Sequence, residues 1–159
     1  MIATGIGYDV HRLVSDRPLF LGGVKIEHAL GLEGHSDADV LCHAIADALL
    51  GAAGEPDIGH MFPNTDQTIR GISSLEILRK VRARLDTLSI LIHNVDATVI
   101  AEEPKISPHL AAMKSRVGEA LGLPPGRVGI KATTNESLGF LGRGEGIAAL
   151  SSACVDRPE

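Results

Sequence analysis

Asp9 and His11 stand two residues apart in the stretch GIGYDVHR. Residues two apart on a strand project to the same face. A carboxylate and an imidazole are therefore expected side by side, with Val10 on the opposite face. His43 stands in a second stretch, HSDADVLCHAIADALLGA, four residues from both Asp39 and Asp47. That spacing places the three on one stripe of a helix. One carboxylate oxygen and two imidazole nitrogens from Asp9, His11 and His43 form the donor set of a catalytic zinc site, three protein ligands with one position left open. A metal-bound imidazole usually passes its other N–H to a carboxylate or carbonyl, a part that Asp39 or Asp47 would take. The plain alternatives are a core or surface histidine at position 43 and an Asp39 belonging to a helix cap begun at Ser36. Spacing alone leaves these open, because it does not bring strand and helix together.

A third stretch, KATTNESLGFLGRGEG at 131–146, compresses two threonines, carboxylates, an arginine and four glycines into one segment. Hydroxyls, exposed backbone amides and a guanidinium are groups that bind phosphate. Glu136 suits a hard divalent ion that shares phosphate oxygens. The alternative is a glycine-rich hairpin with incidental polar residues. Nucleotide motifs do not explain these stretches. Gly5-x-Gly7 would need its third glycine at Val10, and no G-x-x-x-x-G-K-[ST] loop is present.

The elements that must position these groups are legible from periodicity. Strands are expected at 2–10, at 19–27 with a kink at Gly22-Gly23, at 89–101, at 127–133 and at 146–155. Helices are expected from Ser36 to about Gly51, from Ser73 with Glu76 closing a capping box, and from Ser107-Pro108 to Gly122. The order β-β-α-α-β-α-β-β predicts an α+β fold: a mixed sheet of about four main strands with helices packed on one face. The 159 residues suit a single domain spanning 1–159. A net charge of −5 argues against a nucleic-acid partner, and the run Arg79, Lys80, Arg82, Arg84 reads as a solvated helix face. Two distant cysteines, Cys42 and Cys154, exclude a disulfide framework. No apolar run approaches the roughly 20 residues of a membrane span and no signal peptide opens the chain, so cytoplasmic residence without a membrane partner is the expectation.

The motifs GIGYDVHR, LGGVKI, GHSDADVLCHAIADALLGA, DIGHMFPNTD, AEEPKI and ATTNESLGFLGRGEG occur in this order and spacing from about residue 2 to 155. Together they closely resemble the 2-C-methyl-D-erythritol 2,4-cyclodiphosphate synthase family of the non-mevalonate isoprenoid pathway. The resemblance implies a phosphorus–oxygen lyase that converts 4-diphosphocytidyl-2-C-methyl-D-erythritol 2-phosphate to the cyclodiphosphate and releases CMP. It implies a homotrimer with active sites between subunits, zinc, and a second divalent cation, Mg2+ or Mn2+. By the same resemblance Asp9, His11 and His43 hold zinc and Glu136 the second ion, while His35 and Thr134 stabilise the transition state. Ser36 matches a diphosphate contact. Asp57, Ile58 and Gly59, with Phe62, Pro63, Asn64, Thr65 and Asp66, match the segment around the methylerythritol. Ala101, Pro104 and Lys105 match the cytidine pocket, and Thr133 and Thr134 its phosphate contacts. Asn135, Phe140 and Arg143 match further substrate-side positions. Asn64 stands where a second Asp is usual, and Asn135 where a third Thr is usual. Other readings of the same ligands are a metal-dependent phosphohydrolase with linear products and a binding module with structural zinc.

Overall fold

A computed structural model describes residues 1–63 and 65–158. Its first strand, β1 (Ile2–Val14), is longer than the 2–10 expected. It continues because it never lacks a partner. β7 (Gly146–Asp156) pairs with it from Ile2↔Asp156 to Arg12↔Gly146, and β4 (Gly31–Leu32) takes over at Leu13 and Val14. On the other side of β7 lies β5 (Leu91–Ile100), antiparallel to it, and then β6 (Val128–Thr133), parallel to β5. The sheet order is β4-β1-β7-β5-β6, a mixed sheet of four main strands with one short addition.

The expected strand at 19–27 is instead a hairpin, β2 (Leu19–Leu21) against β3 (Val24–Ile26). Gly22 and Gly23 have φ of 57° and 74°. Two successive positive φ values turn the chain back on itself, which glycine permits at no steric cost. The pair is therefore a two-residue turn and not a kink.

Helix α1 (Val40–Ala53) starts four residues later than expected. Ala38 has φ of 58°, which breaks any helix begun at Ser36, and Asp39 is the residue that caps α1 by accepting the Cys42 amide at 3.1 Å. A one-turn helix α2 (Ile58–Met61) follows, then α3 (Ser74–Thr87). The capping box at its start does not form. Ser73 makes no side-chain cap bond, and Glu76 pairs with Arg79 at 3.2 Å instead. Ser107-Pro108 forms a 3-10 turn ahead of α4 (Leu110–Leu121), which ends at Gly122 with φ of 64°. The last helix, α5 (Gly139–Gly142), is a single turn before β7. Arg79, Arg82 and Arg84 engage Glu76, Asp86 and Glu55, so the basic run is a paired helix face.

α1 packs across β1 and β7, α4 packs on β6, and α3 packs against both helices. Leu41, Ile45, Leu49, Leu78, Val81, Leu85, Met113 and Val117 are buried among them. Among the described residues, no long helix covers the opposite sheet face. There Ile2, Ile6, Tyr8, Val10 and Leu150 lie exposed, Ile6 by 79%. No helix among the described residues is long and apolar enough to cross a membrane.

Small residues set how closely α1 approaches β1. A Cβ on Gly7 would overlap the carbonyl of Ala44, and one on Gly5 the carbonyl of Ala48. Both neighbours are backbone and cannot rotate away. Gly7→Ala is expected to destabilise the protein by about 1–3 kcal/mol, the usual range for an overfilled core, measured by urea unfolding at fixed protein concentration. A loss within error would mean that the helix slides freely on the strand.

Candidate active site

The same approach explains how strand and helix build a site. Ala52 and Ala48 lie over Gly5, and Ala44 over Gly7. The helix thus runs opposite to the strand, so stepping back along α1 moves forward along β1. His43 then falls over Asp9. Its Nδ1 is 3.0 Å from Asp9 Oδ2 and 3.3 Å from His11 Nε2, and His11 Nε2 is 2.8 Å from the same carboxylate oxygen. One donor atom from each of the three residues lies within 4.8 Å of the others.

The outer nitrogen of each ring is engaged. His11 Nδ1 lies 2.6 Å from the carbonyl of Glu33. A carbonyl only accepts, so Nδ1 carries the proton and Nε2 presents a lone pair. His43 Nε2 lies 3.0 Å from Ser74 Oγ and 3.1 Å from Ser36 Oγ. The Ser74 hydroxyl donates to Asp37, whose carboxylate also accepts the Ser74 amide at 2.9 Å. Ser74 oxygen therefore accepts the Nε2 proton, and Nδ1 presents the lone pair. Two imidazole lone pairs and a carboxylate converge, which is the chemistry of a divalent transition-metal site. The residues present fit zinc.

Neither Asp39 nor Asp47 takes the expected part beside His43. Asp39 is fully buried and accepts the amides of Gly22 at 2.9 Å and Gly23 at 2.7 Å as well as that of Cys42. Asp47 accepts the Ile58 amide at 2.9 Å and so fixes the start of α2. The ring nitrogen of His43 that needs a partner points to position 74, on a different helix. Ser74 and Asp37 escaped sequence reading because the Ser73-Ser74 pair reads most simply as a helix cap.

Asp9 is held in the ionised form that a metal ligand needs. Burial opposes charge on Asp9, but the adjacent imidazoles of His11 and His43 outweigh it and hold the carboxyl well below its usual range. Burial likewise pulls the pKa of His11 down, and the Asp9 carboxylate overcomes it, for a net rise, so a metal ion would bind there in competition with a proton on Nε2. Burial raises the pKa of Asp47.

A cavity of about 670 Å³ opens on this cluster. His35, Ser36, Asp57, Ile58, Gly59 and Phe62 share its lining with the three ligands. Arg17 also lines it and donates to the carbonyls of Gly34 at 2.8 Å and Ser36 at 3.0 Å, bracing the segment that presents His35. Pro63 and Thr65 continue the loop beyond Phe62. Asp66 accepts the amide and hydroxyl of Thr68 and is spent on its own turn. Asn64 lies outside the described residues.

A second cavity, of about 520 Å³, is lined by Ala101, Pro104, Lys105, Thr133 and Thr134. No described residue lines both cavities. Asn135, Glu136 and Phe140 are exposed beyond the second cavity, and Arg143 lines a third, smaller one beside His28. One chain therefore does not bring Thr134 or Glu136 to the three-ligand cluster. The side-chain amide of Asn135 donates to the Leu138 carbonyl at 2.9 Å, closing its own turn.

Comparison with known proteins supplies the remaining observations. The YgbB family model matches residues 2–156. A 2-C-methyl-D-erythritol 2,4-cyclodiphosphate synthase of Akkermansia muciniphila is 60% identical, with 100% of this chain and 95% of that protein covered. One of Synechococcus elongatus is 55% identical, with 96% of each covered. Among solved structures, the bifunctional IspDF of Campylobacter jejuni superposes with a TM-score of 0.95 at 42% identity, over 100% of this chain and 43% of that longer one. A CDP complex of IspF from Plasmodium falciparum superposes at 0.86 and 32% identity, over 99% and 97% of the two chains.

Proposed function

The chain belongs to the YgbB family, and from that premise we propose that it is a 2-C-methyl-D-erythritol 2,4-cyclodiphosphate synthase. It converts 4-diphosphocytidyl-2-C-methyl-D-erythritol 2-phosphate to the cyclodiphosphate and CMP, within non-mevalonate isoprenoid precursor synthesis. The observation that carries this reading is the convergence of Asp9, His11 and His43 in a cavity that also presents His35 and Ser36.

In this mechanism the 2-phosphate oxygen of the substrate attacks the β-phosphorus, a new P–O bond forms, and the P–O bond to CMP breaks. The nucleophile is already an anion, so no strong base is required, and positioning with charge neutralisation supplies most of the acceleration. Asp9, His11 and His43 would hold zinc and Glu136 a second divalent ion, Mg2+ or Mn2+, and these supply positive charge at the diphosphate when bound. His35 and Thr134 place donors against the charge that builds on the transferred phosphoryl group. Ser36 orients the diphosphate. Asp57, Ile58, Gly59 and the 62–66 segment, Asn64 included, enclose the methylerythritol and exclude water. Ala101, Pro104 and Lys105 receive the cytidine, Thr133 and Thr134 contact its phosphate, and Asn135, Phe140 and Arg143 complete that end. CDP in the Plasmodium falciparum complex supports a cytidine diphosphate ligand here.

The two cavities share no described lining residue, which supports an active site made between subunits. Thr134 and Glu136 of one copy would then meet the zinc ligands of the next. The apolar open face of the sheet supports the assembly, since Ile6, Tyr8, Val10 and Leu150 are large apolar side chains exposed together on one face, the kind of patch that marks an interaction site. A homotrimer is the proposed state.

The test is to incubate the purified protein with substrate and Mg2+ and follow products by phosphorus NMR. CMP with a cyclic diphosphate is the expected result. CMP with linear phosphates would make it a phosphohydrolase, and no turnover by zinc-loaded protein would overturn the reading.

A further inference from the structure

Glu136 and Ser137 stand in the loop between β6 and α5 with φ of 52° and 61°. Two consecutive side-chain-bearing residues in the left-handed region persist only where their surroundings fix them. Part of the fixing is local. The Leu138 amide donates to the Asn135 carbonyl at 2.9 Å, and the Glu136 amide to Thr134 Oγ1 at 3.2 Å. From the α5 side, the Gly142 backbone leaves no room for a Cβ against Ser137. The remaining tie comes from another strand. Glu102, two residues past the end of β5, accepts the amides of Asn135 at 2.8 Å and Ser137 at 3.3 Å through the same oxygen, Oε1. These two bonds bracket Glu136.

We propose that Glu102 is a positioning residue for the cyclisation: it locks the loop in the one conformation that aims Thr134 and Glu136 at the substrate's phosphates. This rests on the functional reading above. The geometry also says what kind of group is needed. Both hydrogen bonds use one acceptor oxygen, so a neutral amide oxygen serves as well as a carboxylate. Both amides lie at the surface, so on truncation water replaces the side chain and the fold survives. What is lost is the loop's single conformation.

The experiment compares wild type, Glu102→Ala and Glu102→Gln. It reads kcat and KM for the diphosphocytidyl substrate, the Mn2+ concentration giving half-maximal rate, and amide hydrogen exchange across residues 134–138. Glu102→Ala is expected to lower kcat/KM about 10- to 100-fold, as loss of a group that orients a ligand does. It should also raise the Mn2+ requirement and speed exchange at Asn135 and Ser137, with Tm and zinc content unchanged. Glu102→Gln is expected to restore all three readouts. Wild-type kinetics in Glu102→Ala, or a Glu102→Gln as impaired as Glu102→Ala, would overturn the proposal. A wild-type protein that fails to cyclise would overturn the functional reading instead. The exchange measurement then decides the anchor alone: faster exchange in Glu102→Ala upholds it, and unchanged exchange removes it.

Discussion

His43→Ala is expected to abolish stoichiometric zinc binding and to lower the cyclisation rate by about 1,000-fold or more. The size follows from the several kcal/mol of charge stabilisation a bound metal supplies, with each 1.4 kcal/mol worth about tenfold. His43 is the only ligand of the three on a helix, and its Nδ1 faces both Asp9 and His11. Removing it leaves two donors from one strand, too few for a tetrahedral site. The fold should survive, because the ring, although buried, lines the cavity and is not part of the apolar core. Zinc content after dialysis, measured beside phosphorus NMR of the products, checks both parts. The histidines outside the cluster are the control. His28 lines the cavity near Lys105 and His93 lies on β5, so His28→Ala and His93→Ala should retain zinc. Zinc lost from either variant and kept by His43→Ala would sink the ligand assignment.

Sequence reading picked out Asp9, His11 and His43, which the structure brings together, because both halves of the cluster sit on strongly periodic elements. Asp9 and His11 obey the two-residue repeat of a long strand, and His43 the repeat of a nearly all-apolar helix. The periodicity did not place strand against helix. That follows from Gly5 and Gly7, where the missing Cβ atoms admit the α1 backbone, and a glycine in a strand does not announce which element it receives. Boundaries failed where side chains had longer-range uses. Ser36 looks like a cap, but its oxygen accepts the Ala38 amide and lies beside His43. Ser73 and Glu76 have the spacing of a capping box, but Asp37 takes the amide and hydroxyl of Ser74 at that helix start. Both failures lie at the cavity of Asp9, His11 and His43, where polar groups are held for that cluster instead of for the local backbone. The division of the proposed site between two cavities was implied only by the family resemblance, with its active sites between subunits; periodicity does not carry it, since it depends on how far β6 lies from β1 across the sheet.

Asp39→Ala is expected to be the most damaging single change to stability, at about 3–5 kcal/mol. Asp39 is completely buried and accepts three backbone amides, from Gly22, Gly23 and Cys42. Each buried donor left without a partner costs about 1–3 kcal/mol. The site is packed with apolar side chains and the Ala variant offers water little entry, so those costs are not readily offset. Burial, with the neighbouring Asp37, raises the pKa of Asp39, and the three amides pull it back. The carboxylate geometry is what joins the β2–β3 turn to the start of α1. Asp39→Asn can keep the oxygen shared by the Gly22 and Cys42 amides and turn its NH2 toward the Gly23 amide alone, so it should cost about half as much or less. The effect should reach the metal as well. The His43 amide donates to the Asp39 carbonyl at 3.1 Å, one helical turn away, so a frayed α1 start misplaces the ligand. Urea unfolding at fixed protein concentration, with and without a chelator, separates the two consequences. A loss below about 1 kcal/mol in Asp39→Ala would mean that fewer than one of those amides is left bare, and that the hairpin tip is held to the helix by apolar packing instead.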